Sequence, residues 1–284
     1  MDIEGRRQSS NIEDRRGSRV RTGAGLSLGG IVVLIVLSLL GINPLPFLGM
    51  ATKAPETTTQ APDQPYQESA EETQLRQITA VVLADTEDTW NAILPKYNVQ
   101  YVEPTLVLFN DVVESGCGTA QSAMGPFYCP KDQRVYVDLS FYHDLQRMGG
   151  AGDAAQGYVV AHEVGHHVQN LVGTAQQVSD LQQRVDEVKA NDLSVRLELQ
   201  ADCFAGIWAG TAKQSRGLLT DEDITEALTA AAAIGDDRLQ RGSGRRVNSE
   251  SFTHGSSQQR EAWLRRGMQA QSPDACDTFK AKSL

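Results

Sequence analysis

Residues His162-Glu163-Val164-Gly165-His166 have the types and spacing of a metal site that could catalyse hydrolysis. In a helix, residues four apart lie on one face, one turn apart, so both imidazoles can bind one zinc ion at about 2.0–2.1 Å. Glu163 lies one residue further round the helix, where it can take a proton from a water molecule without binding the metal. The pattern therefore predicts His162 and His166 as ligands and Glu163 as a general base.

A catalytic zinc needs a third protein ligand. The metzincin continuation is absent, because Gln169 and Val172 stand where it requires Gly and His. Glu198 and Asp202 are four residues apart on a later predicted helix with apolar neighbours, where a carboxylate is costly unless it has a partner such as a metal. We predict Glu198 as the third ligand and Asp202 as the acceptor for the free N–H of one ligating His. The alternative is an exposed acidic stripe or a salt bridge to Arg196.

The elements that must position these residues can be read from hydrophobic periodicity and capping residues. Short β-branched and aromatic runs predict strands at 105–109 and 134–139, and the second could present an edge to an extended peptide. Helices predominate, so the predicted class is α+β, a mainly helical domain with a small sheet. The predicted helices cover 73–94, 153–172, a stretch to about 190, about 191–210, and segments starting after Thr220 and at Ser256 or Ser257.

Residues 23–42 carry no charge and would span roughly 30 Å as a helix, which matches one bilayer core. We predict a transmembrane anchor here, with a cleaved signal peptide or a buried helix as the alternatives. Arg19 and Arg21 precede the span and only Lys53 follows closely, so the positive-inside rule predicts a cytoplasmic N-terminal segment, 1–22. The remainder would lie outside the plasma membrane in a single-pass arrangement.

Residues 43–71 are predicted to be a disordered tether, because 51–71 combine Pro, Thr, Gln and acids with almost no large apolar side chains. One enzyme-sized domain would then occupy 72–284. The formal net charge of −10 argues against a nucleic-acid partner.

Four cysteines form an even set in what should be an oxidising compartment. They allow three pairings. Cys117 and Cys129 form the favoured local pair, which leaves Cys203 with Cys276 by elimination. The alternative for Cys203 is a buried free thiol.

A resemblance to known proteins is carried by segments 4–7, 11–17, 82–90, 115–118, 125–130, 158–169 and 199–206. Through them the chain resembles the bacterial family of membrane-anchored neutral zinc metallopeptidases. The H-E-x-x-H and E-x-x-x-D pair is also similar, more distantly, to the gluzincin plan. That plan implies ligands His162, His166 and Glu198, base Glu163 and supporting Asp202. His254 precedes a predicted helix in a segment that resembles one near the C-terminus of gluzincins, so it could stabilise an oxyanion, with Arg260 nearby.

These residues predict a zinc-dependent endopeptidase that acts on a polypeptide substrate. A membrane-anchored scaffold with a structural zinc would use the same three ligands but has no need of Glu163. A zinc amidase acting on cell-wall peptides would differ only in its substrate.

Overall fold

The structure is a computed structural model that describes residues 1–17 and 66–284. Met1–Arg16 and Gln67–Leu284 form one compact unit, which is α+β and mainly helical as predicted. The strands are β1 Ile12–Asp14, β2 Thr105–Leu108, β3 Val112–Ser115, β4 Gly118–Gln121, β5 Phe127–Cys129 and β6 Arg134–Val137. The α-helices are α1 Ala70–Ile93, α2 Phe141–Arg147, α3 Asp153–Leu171, α4 Thr174–Gln182, α5 Glu187–Arg216, α6 Asp221–Ala233, α7 Asp236–Gly242 and α8 Ser257–Ala270.

The predicted membrane span, 23–42, and all but the end of the predicted tether, 43–71, lie outside the described residues. Among the helices in the described part of the chain, none combines the length and the apolar character needed to cross a membrane.

The main sheet has four strands in the order β1-β2-β6-β5. β1 and β6 both run parallel to β2, whereas β5 is antiparallel to β6. β3 and β4 form a separate antiparallel hairpin. The expectation that strand 134–139 presents an edge was wrong, because β6 is paired on both sides. The outer strand next to it is β5.

Residues 1–16 differ from the predicted organisation, which separates segment 1–22 from a domain that starts near residue 72. β1 is hydrogen-bonded into the main sheet, so these residues share the compact unit that begins again at Gln67. The basic composition of residues 1–22 does not indicate a strand, and a three-residue strand is too short to produce a periodic pattern.

Two helices lie at the centre of the fold. α3 is buried along most of its length, and α5 packs against it. Gly165 permits this close approach, because a Cβ there would lie 2.9 Å from the carbonyl oxygen of Ala201. Any larger residue at position 165 would separate the two helices, and with them the H-E-x-x-H pattern and Glu198.

The predicted limits were close for α3 and less accurate for α5, and the predicted start of α6 after Thr220 was confirmed. α5 begins at Glu187, where the side chain of Asp186 accepts a hydrogen bond from Lys189 N and caps the helix. The predicted start near residue 191 missed this cap. α1 is preceded by a capping box formed by Ser69 and Glu72.

Both expected disulfides are present. Cys117–Cys129 links the β3–β4 hairpin to β5, and Cys203–Cys276 links α5 to the C-terminal region. Cys203 and Cys276 are fully buried, so the alternative of a free thiol at Cys203 does not hold.

Candidate metal centre

The structure brings the three predicted ligands together. His162 and His166 come from α3 and Glu198 from α5, and their ligand atoms all lie within 4.8 Å of one another. The Glu198 carboxylate lies 3.2 Å from Nε2 of His162 and 3.3 Å from Nε2 of His166. Both imidazoles therefore turn the same nitrogen towards one carboxylate.

The other nitrogen of each ring is held by a buried partner. Nδ1 of His162 donates to Oδ1 of Asp202 at 2.8 Å, because a carboxylate can only accept. Nδ1 of His166 donates to Oε1 of Gln169 at 2.9 Å, and the amide nitrogen of Gln169 donates to the carbonyl of Leu197 at 2.7 Å. Both Nε2 atoms are thereby left available for a metal.

Gln169 is a supporting residue that the sequence analysis missed. In the sequence, Gln169 shows only that the metzincin glycine is absent. Its position three residues after His166 on the same helix was an available signal. It is fully buried, which is unusual for glutamine unless its amide is satisfied.

Charges at the centre favour a cation. Burial alone would lower the pKa of His162, but Asp202 and Glu198 outweigh it and raise this pKa to about 10. Burial likewise acts against protonation of His166, yet Glu198 raises its pKa. Burial acts to raise the pKa of Glu198, whereas the two imidazoles bring it well below its usual range. These carboxylates stabilise positive charge here, whether a proton or a metal ion carries it.

Glu163 projects into the same cleft but makes different contacts. It is 7% exposed, and its carboxylate has no hydrogen-bond partner among residues 1–17 and 66–284. Burial raises its pKa above the ordinary value, and the neighbouring histidines only partly offset this effect. A carboxylate with a raised pKa and free lone pairs can accept a proton from a water molecule.

Asp202 is the centre of a buried polar network. Besides His162, it accepts hydrogen bonds from Nε of Arg260 at 2.9 Å and from the Tyr158 hydroxyl at 2.5 Å. Arg260, on α8, is 2% exposed and also donates to the Tyr158 oxygen at 3.0 Å. Burial acts to raise the pKa of Asp202, but Arg260 and His162 lower it to about 2. Asp202 therefore stays ionised and holds His162 in place.

His254 lines the same cleft and has a half-exposed side chain. Asp236 positions it: one carboxylate oxygen accepts the backbone N–H groups of Thr253, His254 and Gly255, and the other lies 3.4 Å from Nδ1 of His254. This contact raises the pKa of His254. Sequence reasoning identified His254 but not Asp236, which lies 18 residues earlier.

His167 points away from the metal centre, as its place on the helix indicates. Its Nδ1 accepts from the Tyr128 hydroxyl at 2.9 Å, and its Nε2 donates to the carbonyl of Val102. Tyr128 belongs to β5 and lines the cleft. His167 thus fastens the outer strand of the sheet to the helix that carries the ligands.

The cleft beside the ligands has a volume of about 530 Å³, within the range of small-molecule and peptide sites. Its walls are mostly apolar. They include Phe127 of β5, Phe141 of α2, Met148, Val159 and Ile234. The side chains of His166 and Glu198 are 17% and 18% exposed, so the ligands are accessible from the cleft.

The donor set fits zinc. Two neutral imidazole nitrogens and one carboxylate are the ligand types of catalytic zinc sites. The two Glu198 oxygens lie 3.2 Å and 3.3 Å from the two Nε2 atoms, and the three ligand atoms lie within 4.8 Å of one another, so all three side chains can reach one ion. The hydrogen bonds that Asp202 and Gln169 accept from the two imidazoles complete the support that such ligands need.

Two uncharacterized bacterial proteins are similar to this chain over most of its length. The uncharacterized protein YpfJ of Escherichia coli (strain K12) is 48% identical over 287 residues, covering 98% of this chain and 99% of the relative. The uncharacterized protein Mb2605 of Mycobacterium bovis is 46% identical over 206 residues, which are 69% of this chain and 67% of that protein. No solved structure matches the chain.

One family model covers almost the whole sequence. It is described as "Putative neutral zinc metallopeptidase" and matches residues 1–279. The chain belongs to this neutral zinc metallopeptidase family.

Proposed function

We propose that the protein is a zinc-dependent endopeptidase with Glu163 as its general base. One observation carries the proposal: the three ligands converge at the side of an open cleft that also contains a buried carboxylate without a hydrogen-bond partner in the described part of the chain. A structural zinc site is closed by its ligands and has no use for such a carboxylate. A catalytic zinc site is therefore favoured over a scaffold protein with a structural zinc.

His162, His166 and Glu198 would hold the metal, and Asp202 and Gln169 would keep the two imidazoles in the ligating tautomer. When bound, zinc supplies a Lewis acid that polarises the scissile carbonyl and lowers the pKa of a water molecule.

Two further residues would act on the reacting atoms. Glu163 would take a proton from the attacking water and pass it to the leaving nitrogen, so no net proton remains on the enzyme. Its raised pKa brings it closer to neutral pH, where it can both accept and release a proton. Asp236 raises the pKa of His254 and so favours its protonated form. Protonated His254 could donate to the carbonyl oxygen as negative charge develops there.

The cleft suits a polypeptide with apolar side chains. Met124 and Leu239 line it and are 72% and 42% exposed, so their apolar surfaces are available to a substrate. β5 is the outer strand of the sheet on this side, and Phe127 and Tyr128 are among the residues that line the cleft. An extended substrate could add to this strand through backbone hydrogen bonds, the role that the sequence had suggested for 134–139.

We further propose a cellular location for the domain. The two disulfides are stable in an oxidising compartment, so we place the domain outside the cytoplasm. Residues 23–42 retain the composition expected of a membrane attachment, and we propose that they attach the protein to the plasma membrane.

The decisive test compares Glu163→Gln with the parent protein. The amide keeps the shape of the side chain and leaves all three ligands in place, but it cannot accept the water's proton. Zinc content should stay the same, while hydrolysis of an unfolded protein should fall by about 10²–10⁴-fold. Asp153→Asn is a matched control, because it makes the same acid-to-amide change at the start of α3, roughly 15 Å along the helix.

Two results would contradict the proposal. Equal turnover by zinc-loaded Glu163→Gln and the parent would remove Glu163 from the mechanism. If the zinc-loaded parent cleaves neither unfolded proteins nor synthetic peptides, the scaffold becomes the better interpretation. Cleavage of cell-wall peptides alone would instead identify an amidase.

A further inference from the structure

The first residues of the chain are built into the domain that carries the metal centre. β1 pairs with β2 in parallel, with Ile12 opposite Leu106. Backbone hydrogen bonds extend the pairing at both ends, from Leu106 N to Asn11 O and from Arg15 N to Leu108 O, each 2.8 Å long. Leu106 and Leu108 are fully buried. The N-terminal strand therefore covers the side of β2 that would otherwise be an unpaired edge.

A buried carboxylate depends on the same segment. Glu87 of α1 is 1% exposed and accepts hydrogen bonds from Ser9 Oγ at 2.5 Å, Arg7 Nη1 at 2.7 Å and Asn11 Nδ2 at 2.9 Å. Every hydrogen bond to this carboxylate from the described residues comes from the first 11 residues of the chain. A buried charge without partners is strongly destabilising, so α1 is adapted to the presence of this segment.

The two parts of this unit, which end at Arg16 and begin again at Gln67, are in contact where the chain leaves and re-enters it. The buried side chain of Arg16 binds Asp14, with Nε 2.9 Å from Oδ1, and also forms an ion pair with Glu68. Glu68 in turn accepts from Nε of Arg76 in α1 at 2.8 Å. Residues 16 and 68 are thus in direct contact, although 51 residues separate them along the sequence.

The arginines of this segment are bound to the domain. Arg6 donates to the backbone carbonyls of Arg216 and Gly217 at 2.9 and 3.0 Å. Arg7 pairs with Glu87 and Asp88, both at 2.7 Å. Their charges serve folding, which supplies a reason for the basic composition other than a membrane orientation signal.

We propose that residues 1–16 lie on the same face of the membrane as the metal centre, and that this is the outer face. A bilayer core about 30 Å thick cannot separate a strand from the sheet in which it pairs. An odd number of crossings between residues 16 and 68 would break the β1–β2 pairing, the Glu87 contacts and the Arg16–Glu68 ion pair. The two disulfides of the same unit assign the oxidising side. This arrangement replaces both the cytoplasmic N-terminus and the single membrane crossing by residues 23–42 that the sequence predicts.

The test measures cysteine accessibility on the full chain in bacterial cells whose outer membrane has been made permeable. Ser10→Cys probes the N-terminal segment, and Ser215→Cys is its matched reference at the end of α5; both serines are exposed. A maleimide that cannot cross the plasma membrane should label both variants to the same extent before lysis. A cytoplasmic host protein should be labelled only after lysis. Gln8→Cys, also exposed, repeats the measurement at a second site.

Labelling of Ser215→Cys alone before lysis, with both N-terminal cysteines reacting only afterwards, would overturn the proposal. Labelling of all three variants only after lysis would overturn the assignment to the outer face. These outcomes do not depend on catalysis, so they are independent of the proposed peptidase activity.

A second measurement tests the docking without added cysteines. On spheroplasts, Ser9→Ala should shorten the half-life of the domain under added protease in the parent chain, because it removes a hydrogen bond to Glu87. In a Glu87→Ala background the same change should have a smaller effect. Equal effects in the two backgrounds, or no effect in the parent, would contradict the contact.

Discussion

Glu198 and Asp202 lie one turn apart on α5 but make different contacts. Alanine substitutions should therefore have different effects on zinc binding and on folding. Glu198 is 3.2–3.3 Å from both Nε2 atoms. Asp202 contacts Nδ1 of His162 and holds Arg260. We expect Glu198→Ala to impair zinc binding more than folding, and Asp202→Ala to impair folding more than zinc binding.

The magnitudes follow from burial and contact. Asp202 is 0% and Arg260 2% exposed, and removing one partner of a buried ion pair costs about 3–5 kcal/mol. Loss of a residue that orients a ligating His weakens metal affinity by about 10–100-fold, or roughly 1.4–2.7 kcal/mol. Glu198→Ala removes a ligand itself, so its loss of affinity should exceed that range. It leaves the Asp202–Arg260 pair intact and should destabilise the metal-free protein by less.

Both quantities can be measured on the same preparations. Urea unfolding in the presence of a chelator gives the free energy of unfolding without metal. Competition with a chromophoric chelator gives the zinc affinity of the folded fraction. Asp202→Asn is the control for side-chain size, because it removes the charge but retains the shape. A larger loss of affinity for Asp202→Ala than for Glu198→Ala, at equal folded fractions, would refute these roles and make Asp202 the ligand.

Two stability predictions concern the attachment of α5 to its surroundings. Replacing both Cys203 and Cys276 by Ala should lower the free energy of unfolding by ~4 kcal/mol, against ~3 kcal/mol for the other bridge, since the residues paired are 73 rather than 12 apart. Urea unfolding without reductant measures both losses, and a smaller loss for the longer loop would contradict the chain-entropy account. Gly267→Ala places a Cβ 1.9 Å from the carbonyl oxygen of Cys203 and should move α8 away from α5. The free energy of unfolding should fall by about 1–3 kcal/mol or more. Zinc binding should also weaken, because Arg260 lies on α8. Gln269→Ala, exposed on the same helix, should do neither, and equal stability of the two variants would show that the helices can separate freely.

The grouping of His162, His166 and Glu198 could be predicted in large part from helix geometry. Two histidines four apart share a helix face, and so do Glu198 and Asp202, which makes both halves of the centre visible in the sequence. The partner of each half was inferred from the unfavourable free energy of a carboxylate among apolar neighbours. Gln169 and Asp236 were missed because a glutamine or an aspartate has many ordinary roles. Only the folded arrangement shows which nitrogen or backbone group each one binds.

The sheet was less predictable than the helices. The runs at 105–109 and 134–139 were recognised as strands from their composition, and the structure has β2 and β6 there. Their order depends on pairings with β1 and β5, which have only three residues each. Strands so short carry almost no periodic signal, and their stability comes from contacts distant in sequence. The position of β6 inside the sheet therefore could not be read from its own residues.

The position of β1 also determines which part of the chain should be tested for activity. A fragment that begins at residue 72 keeps every predicted ligand, but it loses the strand beside Leu106 and all three residues bound to Glu87. It also loses Glu68, which anchors Arg16 to α1. Such a fragment would expose a sheet edge and leave a carboxylate buried without its partners, and both effects favour unfolding or aggregation. Inactivity of that fragment would therefore report on folding, and only a chain that retains residues 1–16 can test the chemistry of Glu163.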